Sequence, residues 1–219
     1  PSHGSATMAQ NTVIPSHTAS VKKHPTNLAS YNIRALAIGS STGGPHALIE
    51  LFKGLRDYPI RVPIFITQHM PATFTQVLAK HISEASGRPT VEGENGMDVT
   101  GGNIYIAPGD YHMTAVREDS HLRIKLNQDP PINYCRPAVD PMFDALADIY
   151  GANLLMLVLT GMGQDGFASA QKAKEKNAKI FIQDKESCVV WGMPKAISEA
   201  GFADAELPLN ELATAVKGA

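Results

Sequence analysis

The residues best suited to chemistry lie in three short stretches rich in glycine or ending in proline. The first is Gly39-Ser40-Ser41-Thr42-Gly43-Gly44. It fits the pattern G-x-S-x-G, which puts Ser41 at the nucleophile position of a strand–turn–helix elbow. The glycines allow the sharp turn and clear space beside the hydroxyl, and the helix that follows would aim its free N–H groups at the same place. Ser40 does not fit, because Ile38 would then fill the first glycine position. A serine hydroxyl is a weak nucleophile and needs a base. The second stretch, Thr67-Gln68-His69-Met70-Pro71, offers the imidazole of His69 just past an apolar run, the usual proton acceptor for a serine. The third, Thr160-Gly161-Met162-Gly163-Gln164-Asp165-Gly166, carries Asp165, a carboxylate able to orient His69 and stabilise its cation. Its glycines would let the N–H of Met162 or Gly163 face a reacting carbonyl as an oxyanion hole.

Each stretch also has a plainer reading. A Gly-Ser turn can simply link a strand to a helix, or hold a phosphate. This one lacks the lysine of G-x-x-x-x-G-K-[ST] and is not G-x-G-x-x-G. His69 could cap the next helix, and an aspartate just before a helix is an ordinary N-cap. Together, however, the three supply nucleophile, base, orienting carboxylate and oxyanion donors. Their chain order, Ser-His-Asp, differs from the Ser-Asp-His order of α/β-hydrolases, so a different fold is expected.

Those positions need elements to hold them. Ala35 to Ile38 is a short apolar run before a glycine, which suits a buried strand. Past Pro45, which fits a first helical turn, Leu48, Leu51, Phe52 and Leu55 recur at helical spacing. Val62 to Thr67 reads as a second strand, followed by a helix with Phe74, Val77, Leu78 and Ile82 on one face. Residues 90–127 alternate in short runs between glycine turns, including Leu122, Ile124 and Leu126, and suggest an antiparallel excursion. Asp140-Pro141 reads as a cap and first turn, with Met142, Phe143, Leu146 and Ile149 as the stripe behind it. Leu154 to Leu159 is a third strand, then a helix over 167–176, a strand at Lys179 to Gln183 and a short helix after Pro194. Trp191 and Met193 are expected to pack near a sheet edge, and His46, His81, His112 and His121 to be surface or cap residues. Apolar strands alternating with amphipathic helices predict an α/β fold: three αβα layers around a mostly parallel sheet, plus a small antiparallel hairpin. Sites in such sheets form beyond the carboxyl ends of strands, where all three stretches fall.

Bulk composition narrows the classes. The chain has 219 residues, 43% hydrophobic and 18% charged, with net charge -2. Nothing basic points to nucleic acid. No apolar run approaches the roughly 20 residues of a membrane span, so no membrane insertion is expected. Cys135 and Cys188 are the only cysteines and form no CxxC pattern, which favours a reducing cytoplasm over a disulfide framework or zinc site. Residues 1–31 are polar and aperiodic and read as a flexible linker or tail. The domain then spans 32–219.

The quoted stretches, with Gly102-Asn-Ile-Tyr-Ile-Ala-Pro108, His112-Met113 and Arg136-Pro-Ala-Val-Asp140, resemble the catalytic domain of the chemotaxis protein-glutamate methylesterase (CheB) family, from about Ile33 to Phe202. The resemblance implies hydrolysis of glutamate methyl esters on the cytoplasmic helices of chemoreceptors, and deamidation of glutamines in some members. It places the family's serine, histidine and aspartate on Ser41, His69 and Asp165. Its oxyanion donor falls near Met162 and its nucleophile-flanking threonine on Thr42. It implies no metal or cofactor. Methylated chemoreceptors are the implied partners. So is the phosphorylatable receiver domain that precedes the catalytic domain in full-length members and has no counterpart in residues 1–219, which leaves regulation by phosphorylation open. Ser40 departs from the family's usual alanine. The alternative from another class is a catalytically silent α/β module that docks a receptor or phosphorylated ligand through the glycine-rich loop, with His69 turned away.

Overall fold

The computed structural model describes residues 31–219. The expected tail lies outside the described residues, apart from Tyr31, whose ring sits 4.6 Å beneath Lys179 Nζ. Fifteen elements follow in chain order: β1 (Ala35–Ser40), α1 (Gly44–Gly54), β2 (Ile64–Gln68), α2 (Ala72–Ser86), β3 (Thr90–Glu92), β4 (Ile104–Ile106), β5 (His112–Glu118), β6 (His121–Asn127), α3 (Val139–Tyr150), β7 (Leu154–Val158), α4 (Phe167–Glu175), β8 (Lys179–Gln183), α5 (Met193–Glu199), β9 (Ala205–Leu207) and α6 (Leu209–Lys217). Seven strands form one parallel sheet in the order β3-β4-β2-β1-β7-β8-β9. β5 and β6 pair antiparallel as a separate hairpin. The three-layer αβα architecture is thus the one expected.

Alternation along each strand divides the core. On β1, Leu36 and Ile38 face one layer with α1, α2 and α6, while Ala35 and Ala37 face the other with α3, α4, α5 and the β5–β6 hairpin. The small alanines allow the close approach of α3, whose Val139 and Phe143 would collide with any Cβ at Gly39. The chain leaves β1 towards β2 on one side and returns to β7 on the other. Strand order therefore reverses at β1, and the crevice beyond the carboxyl ends of β1 and β7 is where such sheets place ligands.

Several expectations need correction. Within 90–127, β5 and β6 are antiparallel, with Asp98 bridging antiparallel to Arg123 of β6, whereas β3 and β4 join the main parallel sheet. At three residues each they are too short to show a period. β9 and α6 were not anticipated. On α2, Leu78 and Ile82 are buried, but Phe74 and Val77 are exposed. The buried face is completed instead by Thr75, Ala79, Ala85 and Ser86, small residues that suit close packing of α2 on α1 and the sheet. Asp140 does not cap α3. It lies inside the first turn, and Ala138 is the N-cap. Its carboxylate instead reaches α4, where the Ser169 N–H and hydroxyl donate to Oδ1 at 2.9 and 2.7 Å. Burial pushes this carboxyl above the usual range despite those bonds. His112 is buried, not superficial. Its Nδ1 accepts the Ala138 N–H at 3.1 Å and its Nε2 donates to Pro130 O at 3.2 Å. Among the described residues no helix is long and apolar enough to cross a membrane.

The Asp140–Ser169 clasp sets where α3 begins, and a buried hydrogen bond to a charged group contributes about 1.5–3 kcal/mol. Ser169→Ala should therefore lower the melting temperature by about 3–12 °C, at the 2–4 °C per kcal/mol typical of this size. A thermal scan showing a shift below about 2 °C would mean that the clasp does not hold α3.

Candidate active site

Ser41 follows β1 directly. Gly43, at φ 82°, is the left-handed N-cap of α1, and Gly44 N–H closes the turn on Ser41 O at 2.8 Å. The turn is held from the β2 end by Gln68. Its Nε2 donates to Ser41 O at 2.9 Å and to His69 O at 3.0 Å, and its Oε1 accepts the buried Ser40 hydroxyl at 2.7 Å. One amide thereby ties the nucleophile loop to the histidine loop. Ser40 faces into the fold, so the elbow presents Ser41 and not its neighbour. From the β7 side, Thr160 O accepts the Ser41 N–H at 3.0 Å. The Thr160 hydroxyl lies 2.9 Å from Thr42 O and accepts the Val190 N–H at 3.0 Å. Gly161 passes so near that a Cβ there would sit 2.9 Å from Ser41 Cβ and overlap Met193 Sδ. Met193 therefore packs under the site, not at the sheet edge. In the sequence, Gln68 and Thr160 stand out only as parts of the loop motifs. Their buried polarity beside strand ends was the available signal for a positioning role.

His69 is 10% exposed, and its Nε2 lies 2.6 Å from Asp165 Oδ2. Asp165 is 1% exposed. It does not cap the helix that follows it: Gly166 is the N-cap of α4, and the side chain that reaches that terminus is Asp140, through the Ser169 N–H. It caps α3 instead: Oδ2 accepts the Val139 N–H at 2.6 Å and Oδ1 the Asp140 N–H at 3.1 Å. Burial alone would push this carboxyl up. The hydrogen bonds from His69, Val139 and Asp140 outweigh it and hold Asp165 below the usual carboxylate range. An ionised Asp165 makes the imidazole carry its proton on Nε2, leaving the Nδ1 lone pair as the basic position. Nδ1 is 3.4 Å from Cys135 Sγ. Among the described residues Ser41 Oγ has no hydrogen-bond partner. In unliganded enzymes such bonds are commonly long and tighten only with substrate.

The N–H groups of Thr42, Met162 and Gly163 also make no hydrogen bond among the described residues. Thr42 follows Ser41 directly, and Met162 and Gly163 follow Gly161, whose backbone packs against Ser41; an oxyanion site needs free N–H groups in such loops. The structure thus brings Ser41, His69, Asp165, Thr42, Met162 and Gly163 to one crevice. Among the described residues no group of three or more His, Cys, Asp or Glu side chains is placed to hold a metal ion. Exposed apolar residues surround the site: Met162 at 72%, Val189 at 67% and Tyr134 at 103% of full exposure. Val189 lies against Gly43, and Tyr134 adjoins Cys135.

The sequence and fold have close counterparts. The family model for CheB methylesterase matches residues 36–216. A Rhodospirillum rubrum protein named protein-glutamate methylesterase/protein-glutamine glutaminase 1 is 49% identical over 183 residues, 83% of this chain and 47% of that protein. A Trichodesmium erythraeum relative named protein-glutamate methylesterase/protein-glutamine glutaminase is 42% identical over 213 residues, covering 96% of this chain and 60% of its own. The crystal structure of the Thermotoga maritima CheB methylesterase catalytic domain superposes with a TM-score of 0.81 at 38% identity, over 84% of this chain and 97% of that one. The chain spans about half the length of the curated relatives it matches. With a family match running from β1 into α6 and a shared catalytic-domain fold, this chain belongs to the CheB methylesterase family.

Proposed function

We propose that this chain is a serine hydrolase that removes methyl groups from glutamate methyl esters on chemoreceptor cytoplasmic helices, and that it also deamidates glutamines there. The observation that carries this reading is the chain of contacts from Asp165 through the His69 ring, beside an elbow whose serine is free to react. Ser41 Oγ attacks the ester carbonyl carbon as its proton passes to His69 Nδ1. The tetrahedral oxyanion is received by the N–H groups of Thr42 and Met162, with Gly163 beside them. His69 then protonates the leaving methoxide, and methanol departs. Water attacks the glutamyl-Ser41 ester by the same proton route, freeing the glutamate and restoring Ser41. With a glutamine side chain the leaving group is ammonia. The reading needs no metal or cofactor and sets the reaction in the cytoplasm, where those receptor helices lie.

A silent binding module is the weaker reading. It would turn His69 away from the loop and leave room for a phosphate on the Gly43–Gly44 turn. His69 instead faces Asp165, and Gln68 Oε1 fills the space beside Gly44 that a Cβ would take.

Three outcomes test the proposal. Ser41→Ala should reduce methanol release from methylated receptor membranes by on the order of 10⁴-fold, whereas Ser40→Ala should keep most of it. Near-normal release by the Ser41 variant would sink the assignment.

Asp165→Asn should lower the rate by up to ~10⁴-fold, because an amide supports the wrong imidazole tautomer. It should also destabilise the fold in a pH-dependent way. A carboxylate whose folded pKa is depressed stabilises the protein above its unfolded pKa of about 4, and loses that effect as pH falls through the lower folded value. The melting-temperature gap between wild type and variant should therefore narrow below about pH 4. A gap independent of pH would contradict the ionised role.

The apolar rim suits the flank of a protein helix, not a small ester. Replacing Tyr134 and Val189 together by serine should raise KM for the methylated receptor about tenfold, by analogy with apolar interface anchors. Hydrolysis of a small glutamate methyl ester should change less than about twofold. Equal effects on both substrates would remove the rim from recognition.

A further inference from the structure

The nitrogen of His69 that must accept the Ser41 proton is already engaged. Its Nδ1 lies 3.4 Å from Cys135 Sγ, while Ser41 Oγ has no partner among the described residues. With Nε2 donating to Asp165, Nδ1 carries only a lone pair, so the thiol is the donor in this contact. Burial and the charge of Asp165 push the Cys135 thiol up, which keeps it protonated and able to donate.

The segment that presents Cys135 is fixed. Ile132 and Cys135 exchange both backbone hydrogen bonds, at 3.1 and 2.8 Å. Between them Asn133 (φ 50°) and Tyr134 (φ 63°) are both left-handed without being glycine. Two such residues in a row are disfavoured, and strained turns of this kind gather at functional sites. Next along the chain, the Arg136 guanidinium clamps the segment to Asp110 Oδ1 (2.6 and 3.1 Å) and to the carbonyls of Gln128 and Asp129 (3.1 and 3.2 Å). Cys135 is thus held against the imidazole from its own side, independently of the Ser41 elbow.

We infer that Cys135 is a positioning residue: its thiol is a displaceable latch that occupies His69 Nδ1 in the resting enzyme and yields it to the Ser41 hydroxyl when an ester enters. This rests on the hydrolase reading above. A thiol is a weak donor, so exchanging S–H···N for O–H···N is easy. The ring itself is held by Asp165 at Nε2 and by Ser40 and Gln68 at its backbone, so the donor at Nδ1 decides only how readily the base is yielded, and a strong donor there would compete with Ser41. The latch therefore makes a prediction that runs against chemical conservatism at position 135.

The test uses the full chain with Cys135→Ser and Cys135→Ala. The stronger hydroxyl donor should lower kcat about fivefold, or ~1 kcal/mol of barrier, with KM little changed. Cys135→Ala should keep kcat at or above wild type. A merely structural cysteine would give the reverse order, with serine tolerated and alanine impaired, and that order would overturn the proposal. A second readout needs no turnover. In protein labelled with ¹⁵N-imidazole histidine, with His69 assigned by loss of its signals in His69→Gln, the Nδ1 resonance should be that of a hydrogen-bonded lone pair in wild type and Cys135→Ser. It should move to that of a free lone pair in Cys135→Ala. An Nδ1 resonance unaffected by Cys135→Ala would also overturn the latch. If wild type releases no methanol, the hydrolase reading fails, and the resonance alone decides whether Cys135 engages Nδ1.

Discussion

A carboxylate withdrawn from water loses several kcal/mol of hydration unless its surroundings replace it. Asp165 is almost entirely withdrawn, and three donors replace its water: the His69 ring, the Val139 N–H and the Asp140 N–H. Charge-assisted bonds of this kind are worth about 1.5–3 kcal/mol each, enough to offset the desolvation and keep the group ionised. Two of the donors are the first free N–H groups of α3, where the helix dipole also favours negative charge. The third is the imidazole. Asp165 therefore does two jobs with one charge: it completes the start of a helix and fixes which nitrogen of His69 is basic. Because the α3 terminus cannot move without losing this anion, the position of α3 becomes part of the chemistry.

The rest of the fold serves that junction. α3 is located by the Asp140–Ser169 clasp to α4 and by His112, whose Nδ1 receives the Ala138 N–H just ahead of the helix. It is pressed onto the sheet through Val139 and Phe143 over the glycine of β1. Reversal of strand order at β1 then brings the loops after β1, β2 and β7 to one crevice. Parallel neighbours lie about 4.8 Å apart, so residues just past adjacent strand ends meet without long connections. The site follows from parallel topology plus one buried anion.

How much of this could be read in the sequence depends on the range of the interaction. The elbow was legible because a strand, a glycine-flanked serine and a helix follow one another within a dozen residues. His69 and Asp165 were legible as residues beyond buried strands. The partner of Asp165 on the helix side was not. Cap rules are local and pointed to the helix immediately after it, whereas its donors lie at Val139 and Asp140, some 25 residues earlier. His112 escaped for the same reason: its acceptor role depends on Ala138, 26 residues away. On α2 the apolar stripe of Phe74 and Val77 misled because small residues, which carry little hydropathic signal, form the face that is buried. β3 and β4 had too few residues to reveal a period.

What remains adjustable at the site is correspondingly little. Ser41 is fixed at its N–H by Thr160, at its carbonyl by Gln68, and by the backbone of Gly161 against its Cβ. His69 is fixed at Nε2 by Asp165 and at its backbone by Ser40 and Gln68. What these contacts leave free is the Ser41 side-chain torsion and the weak Cys135 hydrogen bond at His69 Nδ1. A scaffold that prepays the ordering of every other group before substrate arrives lowers the reorganisation left for the transition state. Under the proposed function, an incoming receptor helix would press on the exposed residues Met162, Val189 and Tyr134 beside the same loops.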